Sequence, residues 1–418
     1  MGAQATADVL SGFDLTDLDN FAAGFPHDVF VTHRRVAPVL WREPTEHTPD
    51  GEGFWSVATH AETLAVTHDP VTFSSERGGH REHAGTILPD QAIAGEVLNM
   101  MDDPRHGRIR RLVSVGLTPK AVGDLEAELR IRLRAVLEHL DDVCDGVAIV
   151  RELPLEAIAL LMGVPSADRH QLAEWVDHTF DFKDREYMEA TDEVTAAHVA
   201  MFEYGQALIA EKRRRPGHDM LSTVVHARLE DEDPPQLTDG ELQLFFSLLF
   251  SAGAETTRSA ASGGLLALAE RPDQWDALRD DPGLIPHAAE EMVRWTSPSA
   301  YNRRTATCDT TLGGQPVRAG DKVVFWEASA NRDERVFPAS MTFDVRRDPN
   351  PHLGFGHGLH FCLGASLARL ELRLTLEELT RRVERLEPAG PPEWTRSNKH
   401  TGLRRVPLRV WRDREELP

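Results

Sequence analysis

Apolar residues recur every three or four positions along most of the chain, as they do in helices that bury one face. Leu125 to Leu140, rich in Leu, Arg, Glu and Ala, shows this plainly. Strand-like runs are short: Phe54–Val57, Val317–Arg318 and Lys322–Trp326, with Gly313-Gly314 as a tight turn between two strands. The pattern predicts a mainly α fold with small β-sheets. Its longest element runs from about Thr238 to Glu270. Thr238 and Glu241 fit a capping box at its start, and Pro272 stops it. Such a helix would be on the order of 50 Å long, enough to cross a whole domain.

Two places depart from the regular pattern. In the long helix, bulky Phe245-Phe246-Ser247-Leu248-Leu249-Phe250 gives way to small Ser251-Ala252-Gly253-Ala254 and then to Glu255-Thr256-Thr257. A helical threonine can bond the carbonyl four residues back, here Ala252 for Thr256, and loosen the turn. Small neighbours leave room for a ligand against the backbone, and an acid beside the threonine suits proton relay into an apolar site. Close helix crossing, with Glu255 solvated at an edge, accounts for the same residues equally well.

The second place is residues 349–364, where Gly354, Gly356 and Gly358 alternate ahead of a helix starting near Leu363. Cys362 therefore sits where a glycine-rich loop meets a helix N-terminus, an environment that stabilises a thiolate. Such a site suits a nucleophile or a metal ligand, and no CxxC or HExxH supplies zinc-type partners. A lone thiolate fits the axial position of a haem, whose ring supplies four nitrogen ligands. An inert buried thiol is the commoner fate of a lone cysteine, and the reading adopted for Cys144 and Cys308. The glycines are not a dinucleotide fingerprint, because Leu359 stands where a third glycine is required. Elsewhere, Glu291 and Arg294 share a helical face and can pair, which at an exposed site contributes little. His106 and Arg110 also share a face, as a clamp for carboxylates or as part of a solvated basic helix.

Charge and composition narrow the function. Of 418 residues, 46 are Lys or Arg and 68 are Asp or Glu, a net charge of −22. General binding to nucleic acid or to anionic membranes is disfavoured. The chain is 41% hydrophobic, too apolar for disorder. Three widely spaced cysteines argue for a reducing compartment. The first twenty residues lack the apolar core of a signal peptide, and no charge-free apolar run reaches about 18 residues. A cytoplasmic monomer with no membrane span is expected, and no stretch is left over for a fused flavin or iron–sulfur domain.

Phe355-x-x-Gly358-x-His360-x-Cys362-x-Gly364 resembles the haem-binding loop of the cytochrome P450 superfamily. Ala252-Gly253-x-Glu255-Thr256-Thr257 and Glu291-x-x-Arg294 resemble two more of its motifs, in the family's order and spacing. The resemblance spans residues 15 to 412 and is to the soluble bacterial class. It implies a single cytochrome P450 domain over residues 1–418, with about 1–14 a flexible segment and haem b between the long helix and the cysteine loop. Cys362 would ligate the iron, and Phe355 would pack near the sulfur and moderate its potential. His106, Arg110, Arg304 and His360 would bind the haem propionates, with Ala252, Gly356 and Gly364 also against the cofactor. Thr256 would hydrogen-bond the iron-bound oxygen, with Glu255 helping to deliver protons; Glu255 stands where many members have Asp. Glu291 and Arg294 would form a buried structural pair supporting the loop.

The activity implied is insertion of one atom of O2 into a C–H bond, with electrons from a ferredoxin and its reductase. Arg105, Arg108, Arg111, Arg346 and Arg347 would form the docking patch, or simply a solvated surface. Substrate contacts are expected from His83–Met100, Trp175–Met188, Leu248, Ser251, Ala252, Ser299, Ala300 and Tyr301. The runs around Trp295, Trp326 and Trp394 are similar to those of β-hydroxylases of amino acids tethered to a peptidyl carrier protein. An aminoacyl peptidyl carrier protein is then a further expected partner. Lys212-Arg213-Arg214-Arg215 would face it, or merely end a helix. The alternative is the group that hydroxylates sterol side chains, methyl-branched lipids or terpenoids, in which an aromatic residue often replaces Glu327. A haem peroxygenase or a non-catalytic haem sensor fits the Glu255-Thr256 pair less well.

Overall fold

Thr238 opens the long helix as its spacing predicts. In the computed structural model, which describes residues 10, 12–179, 191–229 and 235–412, its hydroxyl accepts from the Glu241 N–H (3.3 Å). The Glu241 carboxylate accepts in return from the Thr238 N–H (2.8 Å). Two otherwise orphaned donors are thereby satisfied. The helix runs Asp239–Ala269, 31 residues, or about 46 Å. Pro272 begins the next helix, Pro272–Asp280, because its missing N–H costs nothing in a first turn.

This central helix is amphipathic early and buried all round late, from Ser259 to Ala269. Phe246, Phe250, Leu265 and Leu268 join Leu133, Met292, Leu374 and Leu379 in the main core. Gly264 lets helix Ile285–Thr296 cross closely, since a Cβ there would run into Met292. Helix Ala365–Arg382 follows the cysteine loop, and helix Arg105–Ser114 carries His106 and Arg110. The periodic stretch from Leu125 folds as Glu126–Glu138.

A five-stranded sheet flanks the helices, in the order Val39–Arg42, Phe54–Val57, Lys322–Phe325, Asn302–Ala306, Phe73–Ser74. Its one parallel pairing joins Phe54–Val57 to Lys322–Phe325. Asn302 and Arg304 lie two apart on one strand and so project to the same face. Two predicted strands end early. Arg318 leaves its strand because its N–H turns to Asp321 (2.9 Å). The Trp326 carbonyl accepts from Ala330 (2.8 Å) and starts the short helix Glu327–Ala330. No helix among the described residues is long and apolar enough to cross a membrane. Residues 180–188 of the expected substrate-facing segment lie outside the described residues, as do residues 1–9 and 11 of the N-terminal segment.

Candidate active site

The central helix and the cysteine loop meet at one cavity of about 330 Å³. Ala252, Gly253, Thr256 and Thr257 line it from the helix; Phe355, Gly356, His360, Cys362 and Gly364 line it from the loop. Leu98, Ile158, Leu161, Leu248 and Leu249 make much of the wall apolar.

The loop holds its shape through backbone contacts. The Cys362 N–H donates to the Phe355 carbonyl (2.7 Å), and the Gly356 N–H to Leu353 (2.8 Å). Phe355 is buried beneath Arg369, whose guanidinium lies 4.6 Å from the ring centroid. Burial pushes the Cys362 thiol up, opposed by the Gly364 backbone N–H at the sulfur and by the charges of Arg110 and Arg369. Gly358 has a φ of +69°, and a Cβ there would lie 2.5 Å from the Thr67 carbonyl oxygen. Gly358→Ala is therefore expected to destabilise the protein by at least about 1–3 kcal/mol. Urea denaturation should show the lower midpoint.

The loop is anchored from below. Glu291 and Arg294 are fully buried and form a two-bonded pair (2.7 Å each), unlike the exposed pair that the spacing alone also allowed. Arg294 also donates to the carbonyls of Asn331 (2.8 Å), Ser340 (2.9 Å) and Thr342 (3.0 Å). Glu291 accepts from the Asp344 N–H (2.9 Å), Arg347 (3.1 Å) and Asn350 (3.2 Å). The Asn331 side chain then accepts from the Leu353 N–H (2.6 Å), one residue before Gly354. Glu290 adds a second tie to His352 (3.1 Å) and Arg369 (2.6 Å). Burial opposes its charge, but these partners hold the Glu290 carboxyl down at about 2. Asn331, Arg347, Glu290 and Arg369 were not singled out as supports from sequence. Arg347 is buried here and leaves the expected surface patch. Nothing in Arg346-Arg347 distinguishes the buried member from the exposed one.

On the central helix, the Thr256 hydroxyl donates to the Ala252 carbonyl (2.8 Å), the predicted back-bond. Gly253 serves both readings offered by its neighbours: it lines the cavity, and a Cβ on it would strike Ile158. Glu255 is buried rather than solvated, but it does not line the cavity. Its carboxyl is engaged by Arg258 and by Ser259 (3.0 Å). Arg258 continues to Asp177 (3.3 Å) on helix Arg169–Thr179. Burial pushes Glu255 up, and Arg258 and Ser259 oppose it.

One end of the cavity is cationic. His106 and His360 are 4.4 Å apart between ring centroids, with Arg110 beside them on the same wall. Burial and neighbouring Arg304 push His360 down to about 2; burial and Arg110 lower His106. Arg304 is buried behind the lining, brought down to about 10 by burial, with Glu327 and Asp102 opposing. Of the expected substrate contacts, Leu98 and Asn99 of the His83–Met100 segment, Leu248, Ala252 and Ser299 line the cavity. Ser251, Ala300 and Tyr301 do not. The Ser251 hydroxyl is tied to the Leu248 carbonyl (3.0 Å). Ala300 is buried against Lys399. Tyr301 packs on Trp326 and accepts from the Leu88 N–H (3.3 Å). Asn302, Glu327 and Glu371 line the cavity and were not predicted to.

The cytochrome P450 family profile matches residues 155–282 and 284–408. Cytochrome P450 126 of Mycobacterium tuberculosis is 58% identical over 405 residues, covering 96% of this chain and 98% of the relative. Linalool 8-monooxygenase of Pseudomonas putida is 36% identical over 402 residues, covering 94% and 97%. A methyl-branched lipid omega-hydroxylase of M. tuberculosis is 37% identical over 420 residues, covering 96% and 95%. The crystal structure of OxyD, a P450 involved in the biosynthesis of vancomycin-type antibiotics, superposes with a TM-score of 0.84 at 31% identity, covering 96% of this chain and 100% of that one. Identity this deep along nearly the whole length carries chemistry as well as architecture, and it places the chain in the cytochrome P450 family of haem b monooxygenases.

Proposed function

We propose that this protein hydroxylates a free, branched apolar substrate of the terpenoid, methyl-branched lipid or sterol class, using haem held by Cys362. The observation that carries it is the apolar cavity shared by Cys362 and the Ala252–Thr257 turn. The residues present fit a haem. Cys362 offers one sulfur. At the rim, Arg110, His106 and His360, with Arg304 behind them, gather donors for the two carboxylates that haem b brings. Among the described residues the buried His106 Nδ1 has no hydrogen-bond partner, with the Asp103 carboxylate 3.8 Å away. When bound, haem supplies oxygen activation, and a thiolate ligand favours O–O cleavage.

The chain's own residues do the rest. Leu98, Leu248 and Leu249 exclude water and orient the substrate. Thr256 lines the cavity, and its back-bond to Ala252 leaves the hydroxyl oxygen free to accept and pass a proton. Glu255 supplies the proton by swinging away from Arg258 and Ser259. Thr256→Ala is expected to cut product formed per reducing equivalent by at least about tenfold, with hydrogen peroxide taking up the difference. Parallel assays of product and peroxide read this directly. Electrons come from a ferredoxin and its reductase. The patch offered to them is smaller than the sequence suggested: Arg347 is interior, and Arg105 is paired with Glu241.

The relatives named for linalool and methyl-branched lipids support the free-substrate class. The OxyD likeness favours a second reading, an amino acid tethered to a peptidyl carrier protein. Against it, two members of the basic run are engaged elsewhere: Lys212 with Asp219 (2.8 Å) and Arg213 with Asp239. A haem spin-state titration separates the two. A low-to-high spin shift with a free terpenoid, branched fatty acid or sterol supports the proposal. A shift confined to aminoacyl carrier proteins overturns it in favour of the second reading.

A further inference from the structure

A polar cluster interrupts the apolar wall and has no part in the steps above. Asn302 bridges two buried ionisable groups. Its amide nitrogen donates to Glu327 Oε2 (2.9 Å), and its amide oxygen accepts from Lys399 Nζ (3.1 Å). Lys399 also donates to Ser299 Oγ (3.0 Å) and to the Tyr301 carbonyl. An ammonium has three N–H donors, so all of them are directed at uncharged protein acceptors. Among the described residues no direct ion pair joins Lys399 to Glu327. Glu327 is thus a cavity-lining carboxyl that is 3% exposed, held by Asn302, which lies two residues along its strand from Arg304.

Burial dominates its behaviour and pushes it up to about 7, although Lys399, the Asn302 hydrogen bond and Arg304 all favour the charged form. Burial likewise brings Lys399 down to about 8. Other charged groups packed against the turn Glu327–Ala330 face elsewhere. Arg34 goes to Ser329 and Glu334, Arg294 to Glu291 and three carbonyls, and His60 to the Pro351 carbonyl. The buried acids Glu255 and Glu371 lie outside the cluster.

We propose that Glu327 is a haem-binding residue of the rim, a neutral carboxylic acid that shares its proton with one of the haem carboxylates. This rests on the reading that Arg110, Arg304, His106 and His360 face those carboxylates. A bare Glu327 carboxylate there would repel them. Bringing the haem in therefore raises Glu327 further and turns it from acceptor into donor. The resulting O–H···O⁻ contact is of the short, charge-assisted kind. Where the pH leaves Glu327 ionised without haem, loading haem takes up one proton from solvent: the Glu327 carboxylate gains it, and no electrons move.

Infrared spectra of the haem-loaded protein test this through the C=O stretch of a protonated carboxyl. The pH is set about one unit above the midpoint at which the same band disappears in the haem-free protein. The band, identified by its shift in D2O, which an ester carbonyl does not show, is expected with haem b, is lost in Glu327→Gln, and is lost in wild-type protein loaded with haem dimethyl ester. A wild-type spectrum lacking it, or a band indifferent to esterification, overturns the proposal. The ester arm needs no variant, so it decides the matter even if Glu327→Gln folds poorly. Haem retention separates the two layers of the argument. If only Glu327 is misassigned, esterification still weakens retention while the band does not respond. If the rim does not face the carboxylates, esterification changes neither.

Discussion

Cys362→Ala is expected to fold, to lose the thiolate-type spectrum of its reduced carbon monoxide complex, and to lose monooxygenase activity by at least about a thousandfold. The fold should survive because the loop is held by contacts that do not involve the sulfur. The Cys362 N–H to Phe355 bond is a backbone bond, and Leu353 is fixed by Asn331. The activity should not survive, because a thiolate's electron donation is not supplied by the histidines in the wall. His106 and His360 stand together at the rim with Arg110, in the company of cations that disfavour their protonated forms. Absorption spectra of the reduced, carbon monoxide-treated protein and a product assay check the two halves. Intact activity in Cys362→Ala would remove the basis of the proposed function.

Arg294→Ala is expected to fail earlier, at folding. It leaves the Glu291 carboxylate buried without its bidentate partner, a loss of about 3–5 kcal/mol. The carbonyls of Asn331, Ser340 and Thr342 also lose a donor, at about 1 kcal/mol or more each. A domain stable by only about 5–15 kcal/mol does not absorb that. Arg294→Lys should not rescue it, since an ammonium cannot reproduce the planar fork that meets both Glu291 oxygens. Soluble yield and haem content of both variants are the measurements; wild-type levels of either would show the pair to be dispensable.

The residues that proved legible in the sequence are those whose role is local. Thr238 and Glu241 cap within four residues, and Thr256 bonds a carbonyl one turn away. The glycines before Cys362 mark a backbone that other residues resist. What was not legible depends on pieces of chain brought together from far apart. Arg347 sits beside exposed Arg346, and only the arrival of Glu291 makes it interior. Tyr301 was expected in the cavity with Ser299. The Trp326 ring and the Leu88 N–H, both distant in sequence, draw it into a different core. Glu255 was read as a neighbour of Thr256, but Arg258 and Ser259, one turn further along, claim its carboxyl. Glu327 and Lys399 meet only through Asn302, a relation that no spacing rule contains.

None of the groups bonded to Glu291 or Arg294 lines the cavity: Asn331, Ser340, Thr342, Asp344, Arg347 and Asn350 all lie behind it. The protein thus keeps two accounts of its sequence apart, one for where the sulfur stands and one for what the sulfur's neighbours will admit. Selection can rewrite Leu98, Leu248 or Leu249 and leave the ligand geometry untouched. A lineage built this way can diversify in its choice of molecule while its reaction chemistry stays fixed, and a mutagenesis library confined to those wall positions inherits the same freedom.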